Sequence, residues 1–119
     1  MVFETAKELL SAMYSHEKSA LNRITQDLRE RFPGRIEGVY VFGSKARGDH
    51  GEWSDFDVLV VVRDRDPMIE QTIISFFVEV ELGSGLLFNP LIKDLVAFES
   101  EKRFNTPFHE NLTGEGILL

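Results

Sequence analysis

The sequence contains no cysteine, and this absence excludes two classes of small protein. Disulfide bonds cannot hold the fold together, and no zinc site can be built from thiolates. No apolar run reaches the roughly 18 residues that a membrane-spanning helix needs. The first ten residues carry Glu4, Lys7 and Glu8 and no apolar signal core. We therefore expect a cytoplasmic protein that has no membrane partner.

Basic residues are also few. Lys and Arg total 13 against 20 Asp and Glu, which gives a net charge of −7. A nucleic-acid-binding protein normally presents a basic surface, so we expect no direct binding of nucleic acid. Net charge does not describe a single cleft, however. An acidic chain can still bind a polyanion where a metal ion and a few local bases offset the repulsion.

Hydrophobic residues supply 43% of the 119 positions, and ten of them are phenylalanine. This is enough apolar material for an ordered core. The length predicts a single domain over residues 1–119. Within it we distinguish a helical segment at about 5–32, a core at about 35–93 and a tail at 94–119.

Hydrophobic patterning predicts the order helix, strand, loop, strand, helix, strand, tail. The helix at 5–32 is either one helix or two, and Asp66-Pro67 begins the next helix. Pro90 places the third strand, Leu86–Ile92, at the edge of a sheet. The 13 residues between the first two strands are too few for a crossover helix, so these strands are antiparallel or irregularly joined. The fold class is α/β (α+β), a small mixed β-sheet packed against helices.

A possible phosphate site follows the first strand. Gly43 allows the backbone to approach a ligand closely, and Ser44 offers a hydroxyl beside backbone N–H groups. Lys45 and Arg47 add positive charge, as phosphate contacts or as ordinary surface charge. The order of residues is not that of a P-loop.

Ten residues separate Ser44 from Asp55, which is followed by Asp57 and preceded by Ser54. Strand alternation places the two carboxylates on one face, about 7 Å apart, and turns Phe56 to the other. Two ionised acids so placed repel each other, and Mg²⁺ relieves the repulsion. Asp-x-Asp alone also fits a solvated strand end. Together with Gly43-Ser44 it indicates phosphoryl or nucleotidyl transfer.

This pattern, Gly-Ser followed after ten residues by Asp-x-Asp, resembles the DNA polymerase β-like nucleotidyltransferase superfamily. The fuller string from Gly43 to Val60 is similar to the minimal nucleotidyltransferase branch. The resemblance covers the chain from about Ile36 onward and includes a weaker match over residues 106–116.

The resemblance implies roles for particular residues. Asp55 and Asp57 would bind Mg²⁺, with Mn²⁺ as an alternative, and would be catalytic. The nucleoside triphosphate, expected to be ATP, would lie against a set of small and basic residues: Gly43, Ser44, Lys45, Arg47 and Ser54. Attack on the α-phosphorus would expel pyrophosphate and leave a nucleoside monophosphate on an acceptor, an EC 2.7.7 type of reaction.

The family also carries a third carboxylate on a following strand. In this sequence Asn89 stands at the matching place, and an amide is not a general base. The alternative is therefore a catalytically impaired module that binds a nucleotide or a partner. Asp94 has the opposite strand parity to Asn89, and Glu79 and Glu81 lie on the preceding helix.

The chain is too short to carry a helical substrate domain of its own. By resemblance, the acceptor would be recognised through a separate small helical protein of the HEPN type, as in toxin–antitoxin pairs, or through a homo-oligomer. An aminoglycoside-modifying enzyme is a third possibility. The histidines show no metal-ligand spacing and are expected at the surface (His16, His50, His109). The tail phenylalanines are expected in the core or in a partner patch (Phe98, Phe104, Phe108).

Overall fold

The computed structural model of the protein describes residues 15–42 and 55–119. In these two stretches the chain forms four helices and four strands. In chain order they are α1 (Ser15–Arg31), β1 (Ile36–Phe42), β2 (Phe56–Val62), α2 (Pro67–Ser84), β3 (Phe88–Asp94), α3 (Leu95–Phe104), α4 (Pro107–Glu115) and β4 (Ile117–Leu118).

The four strands form one mixed sheet in the order β3-β2-β1-β4. β1 pairs antiparallel with β2 and with the short β4, whereas β2 and β3 run parallel. The prediction of a small mixed sheet packed against helices is confirmed. The antiparallel pairing of the first two strands is one of the two alternatives that their short connection allowed, and β3 lies at the edge of the described sheet as predicted.

β2 lies inside the sheet and is covered on both of its faces. Six of its seven residues are buried, as its continuous apolar sequence predicts. Phe56, Val58 and Val60 join the core that α1 and α2 form on one face. Leu59 and Val61 belong to a smaller core on the other face, with residues of α3 and α4. Alternation along this strand therefore decides which face receives each side chain.

The start and end of α2 follow from local chemistry. The carboxylate of Asp66 accepts a hydrogen bond from the N–H of Ile69 at 2.8 Å, and Pro67 occupies the first helical position. Gly85 ends the helix with φ at 73°, a left-handed conformation that glycine adopts without steric cost. The predicted helix start at Asp66-Pro67 is confirmed.

The third strand begins two residues later than predicted, at Phe88 instead of Leu86. The N–H of Leu86 donates to the hydroxyl of Ser84 at 3.2 Å, and that of Phe88 donates to the Glu81 carboxylate at 3.1 Å. These side chains extend the helix end by local hydrogen bonds and delay the start of the strand. The strand β4 was not predicted at all. It has only two residues and exists through its pairing with Tyr40 and Val41 of β1.

One prediction about the tail is wrong. His109 is not a surface residue: it is buried and meets the ring of Phe98 at 5.3 Å between centroids. For Phe104 the core alternative is excluded, because α3 ends there and the chain turns away through Asn105, leaving the phenyl ring 75% exposed. Phe98 is buried and Phe108 packs partly buried beside it, as predicted.

The predicted helix from residue 5 lies outside the described residues as far as position 14, so the choice between one helix and two stays open. Within the described parts of the chain, no helix combines the length and the apolar character that crossing a bilayer requires.

Candidate active site

The acidic pair lies at one end of the sheet, where β1 ends and where β2 and β3 begin. Asp57 is the second residue of β2, and its register partners are Phe42 at the end of β1 and Asn89 near the start of β3. Asp55 directly precedes β2 and is exposed, whereas Asp57 is half-buried. Three strand ends therefore converge on this pair of carboxylates.

Phe56 fixes the orientation of the two aspartates. Its ring is fully buried on the opposite face and stacks on Phe88 at 5.5 Å between centroids. The N–H of Phe56 donates to the carbonyl of Leu87 at 2.9 Å, so the backbone is held as well as the side chain. Because neighbouring side chains in a strand alternate, the buried ring directs Asp55 and Asp57 to the other face.

Asn89 is in direct contact with Asp57. Its amide Nδ2 donates a hydrogen bond to Oδ1 of Asp57 at 3.1 Å across the parallel strands. The family resemblance implies Asn89 as a possible third site position, and the structure brings it to Asp57. Because the amide is uncharged, it avoids the repulsion of Asp57 that a third carboxylate would add.

The other acids named from the sequence lie elsewhere. Asp94 is at the far end of β3, where its carboxylate accepts hydrogen bonds from the N–H groups of Arg65 and Val96. These two bonds hold the pKa of Asp94 below its usual value. Glu79 and Glu81 are both in α2. Glu79 lies near Arg31, and the Glu81 carboxylate accepts a hydrogen bond from the N–H of Phe88.

The same face of the sheet carries an aromatic pair, Phe42 and Phe108, that the sequence analysis did not predict. Phe42, the register partner of Asp57, meets Phe108 of α4 edge to face at 5.5 Å between centroids. Thr106 caps α4 by accepting a hydrogen bond from the N–H of His109 at 3.4 Å. The parity of Tyr40 and Phe42 was the available signal, since both fall on the side of the sheet that Asp57 shares.

The donor set suits a hard cation that arrives with its substrate. Asp55 and Asp57 supply carboxylate oxygens, and in the two described stretches no group of three Asp, Glu, His or Cys side chains could hold a metal alone. Mg²⁺ is commonly held by one or two carboxylates together with substrate phosphates. Asn89 could offer its amide oxygen only after its side chain turns over, because its NH₂ group faces Asp57.

Five predicted site residues lie outside the described part of the chain: Gly43, Ser44, Lys45, Arg47 and Ser54. His50 does too. The described residues on either side of them are Phe42, the register partner of Asp57, and Asp55.

A family model for the nucleotidyltransferase domain matches residues 21–115. The chain belongs to the nucleotidyltransferase family. It is therefore a transferase of the EC 2.7.7 type, and the resemblance noted in its sequence is confirmed. Two proteins of Methanocaldococcus jannaschii, both provisionally named as protein adenylyltransferases, are similar to it. One is 33% identical over 104 residues, which cover 87% of this chain and 98% of the relative. The other is 29% identical over 98 residues, covering 82% and 92%.

Solved structures show the same fold. A provisionally assigned nucleotidyltransferase from Sulfolobus solfataricus has a TM-score of 0.54 at 22% identity, covering 98% of this chain and 84% of that one. A mutant of the toxin–antitoxin pair MntA–HpeT has a TM-score of 0.53 at 18% identity, covering 82% and 69%. In that mutant, two aspartates separated by one residue are replaced by glutamates.

Proposed function

We propose that this nucleotidyltransferase uses Mg²⁺ to move the nucleoside monophosphate of ATP onto a hydroxyl group of an acceptor protein. The observation that carries the proposal is the convergence of Asp55, Asp57 and Asn89 at one end of the sheet. The names of the two relatives favour an adenylyl group and a protein acceptor.

In this proposal Asp55 and Asp57 hold the metal ion. When bound, Mg²⁺ neutralises charge between the carboxylates and the triphosphate and makes the α-phosphorus easier to attack. The triphosphate lies against the segment that follows β1, through Gly43, Ser44, Lys45, Arg47 and Ser54. Mn²⁺ has the same preference for oxygen ligands and is expected to substitute.

The transfer step balances without an additional reactant. The acceptor oxygen bonds to the α-phosphorus, the bond from that phosphorus to the bridging oxygen breaks, and pyrophosphate leaves. The hydroxyl proton passes to solvent, because the Asn89 amide cannot accept it. Asn89 instead holds Oδ1 of Asp57 in place, which keeps the other carboxylate oxygen available for the metal.

A separate protein supplies the acceptor or presents it. The fold similarity to one half of a toxin–antitoxin pair supports a small helical partner of the HEPN type, and a homo-oligomer is the other arrangement considered. The net charge of −7 opposes direct binding of nucleic acid. A cytoplasmic location, where nucleoside triphosphates are abundant, belongs to the same proposal.

Thermal unfolding with ATP, GTP, CTP and UTP, each with and without Mg²⁺, tests the nucleotide site. A ligand at 100 times its Kd stabilises a fold by about 2.7 kcal/mol, which raises Tm by roughly 10 °C for a domain of this size. We expect the largest shift with ATP and Mg²⁺, and we expect Asp55→Asn and Asp57→Asn to abolish it.

Asp64→Asn is the matched control for these two variants. Asp64 is exposed beyond the far end of β2 and has φ at 54°, a conformation that Asn tolerates well. It should keep the full shift. An equal shift in Asp57→Asn and the native protein would contradict the assignment of the metal site.

Asn89 also motivates a second candidate function, a module that binds a nucleotide or a partner without transferring the nucleotidyl group. The two functions differ in one measurement, the release of pyrophosphate from ATP in the presence of a candidate acceptor. A protein that shows the Mg²⁺-dependent shift and no pyrophosphate release with any acceptor would support the binding module.

A further inference from the structure

Two exposed leucines flank Asn89 on β3 and its approach. Leu87 is 52% exposed and Leu91 is 38% exposed, although both lie next to strands whose other apolar residues are buried. We call this pair the leucine ledge. The pair lies on either side of the residue that contacts Asp57.

The ledge faces the same side of the sheet as the acids. Leu91 is the register partner of Leu59, and Asn89 is the partner of Asp57, so the four side chains share one face. The carbonyl of Leu87 accepts the hydrogen bond from Phe56, which extends the strand alternation to this residue. Leu87, Asn89 and Leu91 thus form one row along the outermost strand of the described sheet.

The two residues beside Asn89 offer no free backbone N–H to an added strand. The hydrogen bond from Phe56 to Leu87 directs residues 87, 89 and 91 toward β2, so residues 88 and 90 direct their backbone outward. The outward N–H of Phe88 is bound by Glu81 at 3.1 Å, and Pro90 has no N–H. A molecule that binds beside Asn89 therefore finds no free outward N–H on either neighbouring residue and meets side chains instead.

The charge around the ledge opposes an anionic occupant. β3 carries one basic residue, Lys93, and its ammonium group is bound to the Glu101 carboxylate and lies over the Phe108 ring at 4.1 Å. The charged neighbours closest in register are Asp55 and Asp57. Since Mg²⁺ at these carboxylates is already shared with the triphosphate in the proposed function, β3 offers a phosphate-rich acceptor no further cation.

β3, which carries the ledge, pairs with β2 on the side opposite to β1. In the proposed function the segment that follows β1 holds the triphosphate, and this leaves the β3 side for the acceptor. We infer that the leucine ledge binds the acceptor, and that the acceptor hydroxyl is borne by a protein segment with apolar side chains beside it. The inference rests on the proposed function and specifies its substrate class.

Matched peptides and two ledge variants test this inference. Each peptide carries one hydroxyl residue, Ser, Thr or Tyr, flanked by leucines, glutamates or lysines. Transfer of labelled AMP from Mg²⁺·ATP is measured for the native protein, Leu87→Ser and Leu91→Thr. Val96→Ser is the control, because Val96 is 74% exposed and lies beyond the opposite end of β3.

We expect the leucine-flanked peptides to be labelled fastest. Each ledge variant should raise KM for them by about 10-fold with kcat and Mg²⁺·ATP binding unchanged, because loss of apolar contact weakens binding by about this factor. Val96→Ser should leave all three quantities unchanged. Thermal unfolding of every variant checks that the fold is intact.

Several outcomes would overturn the inference. Equal labelling of glutamate- or lysine-flanked peptides would do so, as would ledge variants with an unchanged KM. A native protein that binds Mg²⁺·ATP but labels no leucine-flanked peptide would overturn the inference and leave the nucleotide site standing. A native protein that binds no Mg²⁺·ATP would instead remove the proposed function, and the inference with it.

Discussion

Asn89 donates its amide hydrogen to Oδ1 of Asp57 at 3.1 Å, across two parallel strands that begin side by side. The contact joins the sequence position where the family has a third carboxylate to one of the two acids that the spacing singles out. It also gives Asn89 a physical role that needs no catalytic proton transfer. The neutral amide leaves the site with less negative charge than a carboxylate at position 89 would, and its hydrogen bond restrains Asp57 before any metal binds.

Asn89→Asp should therefore change stability and metal affinity in opposite directions. Without a metal, a carboxylate facing Asp57 adds a like-charge pair, and we expect a loss of about 1 kcal/mol and of about 5 °C in Tm at neutral pH. With Mg²⁺ the added ligand should strengthen binding. Titration of Tm with Mg²⁺ should show a steeper rise in the variant than in the native protein.

Asn89→Ala separates charge from the loss of the hydrogen bond. It removes the contact with Asp57 but adds no carboxylate, so it should not strengthen Mg²⁺ binding. If Asn89→Asp and Asn89→Ala responded to Mg²⁺ in the same way, the third position would have no part in the metal site.

The parts of the fold that were predicted depend on local signals. Asp66-Pro67 predicted a helix start because a cap and a proline act within one turn. The apolar run from Val58 predicted a strand covered on both faces, because consecutive apolar side chains point to both faces of a sheet and are all buried only when both faces are covered. The alternation of a strand predicted that Asp55 and Asp57 share one face, whereas Asn89 was singled out only through the family resemblance.

The parts that were missed depend on contacts distant in sequence. β4 is a strand only because it lies beside Tyr40 and Val41, about 77 residues earlier in the chain. His109 is buried because Phe98 of another helix covers it, and no pattern of neighbouring residues predicts that contact. The spacing from His109 to Leu112, three residues, was the one available signal, since it places both on one face of α4.

Gly116 makes the connection from α4 to β4 possible. Its N–H donates to the carbonyl of Leu112 at 2.6 Å, and a Cβ built at this residue would lie 2.5 Å from that same oxygen. Gly116→Ala should force the backbone to shift and cost about 2 kcal/mol. Denaturant unfolding measures the loss. Gly114→Ala is the control, because nothing lies within 4 Å of a Cβ there, and it should be stable or slightly stabilised.

The pair formed by Lys93 and Glu101 is partly buried, with side-chain exposures of 17% and 27%. Oε2 of Glu101 is buried without a hydrogen-bond partner among the described residues, so the carboxylate depends on Lys93 for compensation. Lys93→Ala should destabilise the fold by about 3 kcal/mol. The double variant Lys93→Met with Glu101→Leu should recover most of that loss, since no unpaired charge is then left in the protein.

An exposed ion pair provides the comparison for Lys93 and Glu101. Arg65 and Glu70 lie 3.0 Å apart with side-chain exposures of 40% and 36%, and Arg65→Ala should cost less than about 1 kcal/mol. If Lys93→Ala cost no more than Arg65→Ala, burial would not be what makes the Lys93–Glu101 pair matter. The measurement is the free energy of unfolding in urea for all four proteins.

Asp66 should make the stability of the protein depend on acid pH. The hydrogen bond from the Ile69 N–H, followed by that from the Arg35 side chain, lowers its pKa from 3.8. A lowered folded-state pKa means that stability is present above pH 3.8 and is lost as pH falls through the lower folded value.

Asp66→Asn keeps a capping oxygen but cannot titrate. Its Tm should lie a few degrees below that of the native protein at pH 6, and the gap should close as both are taken below pH 3. A constant difference between Asp66→Asn and the native protein from pH 6 to pH 2.5 would mean that the carboxylate acts through its shape and not through its charge.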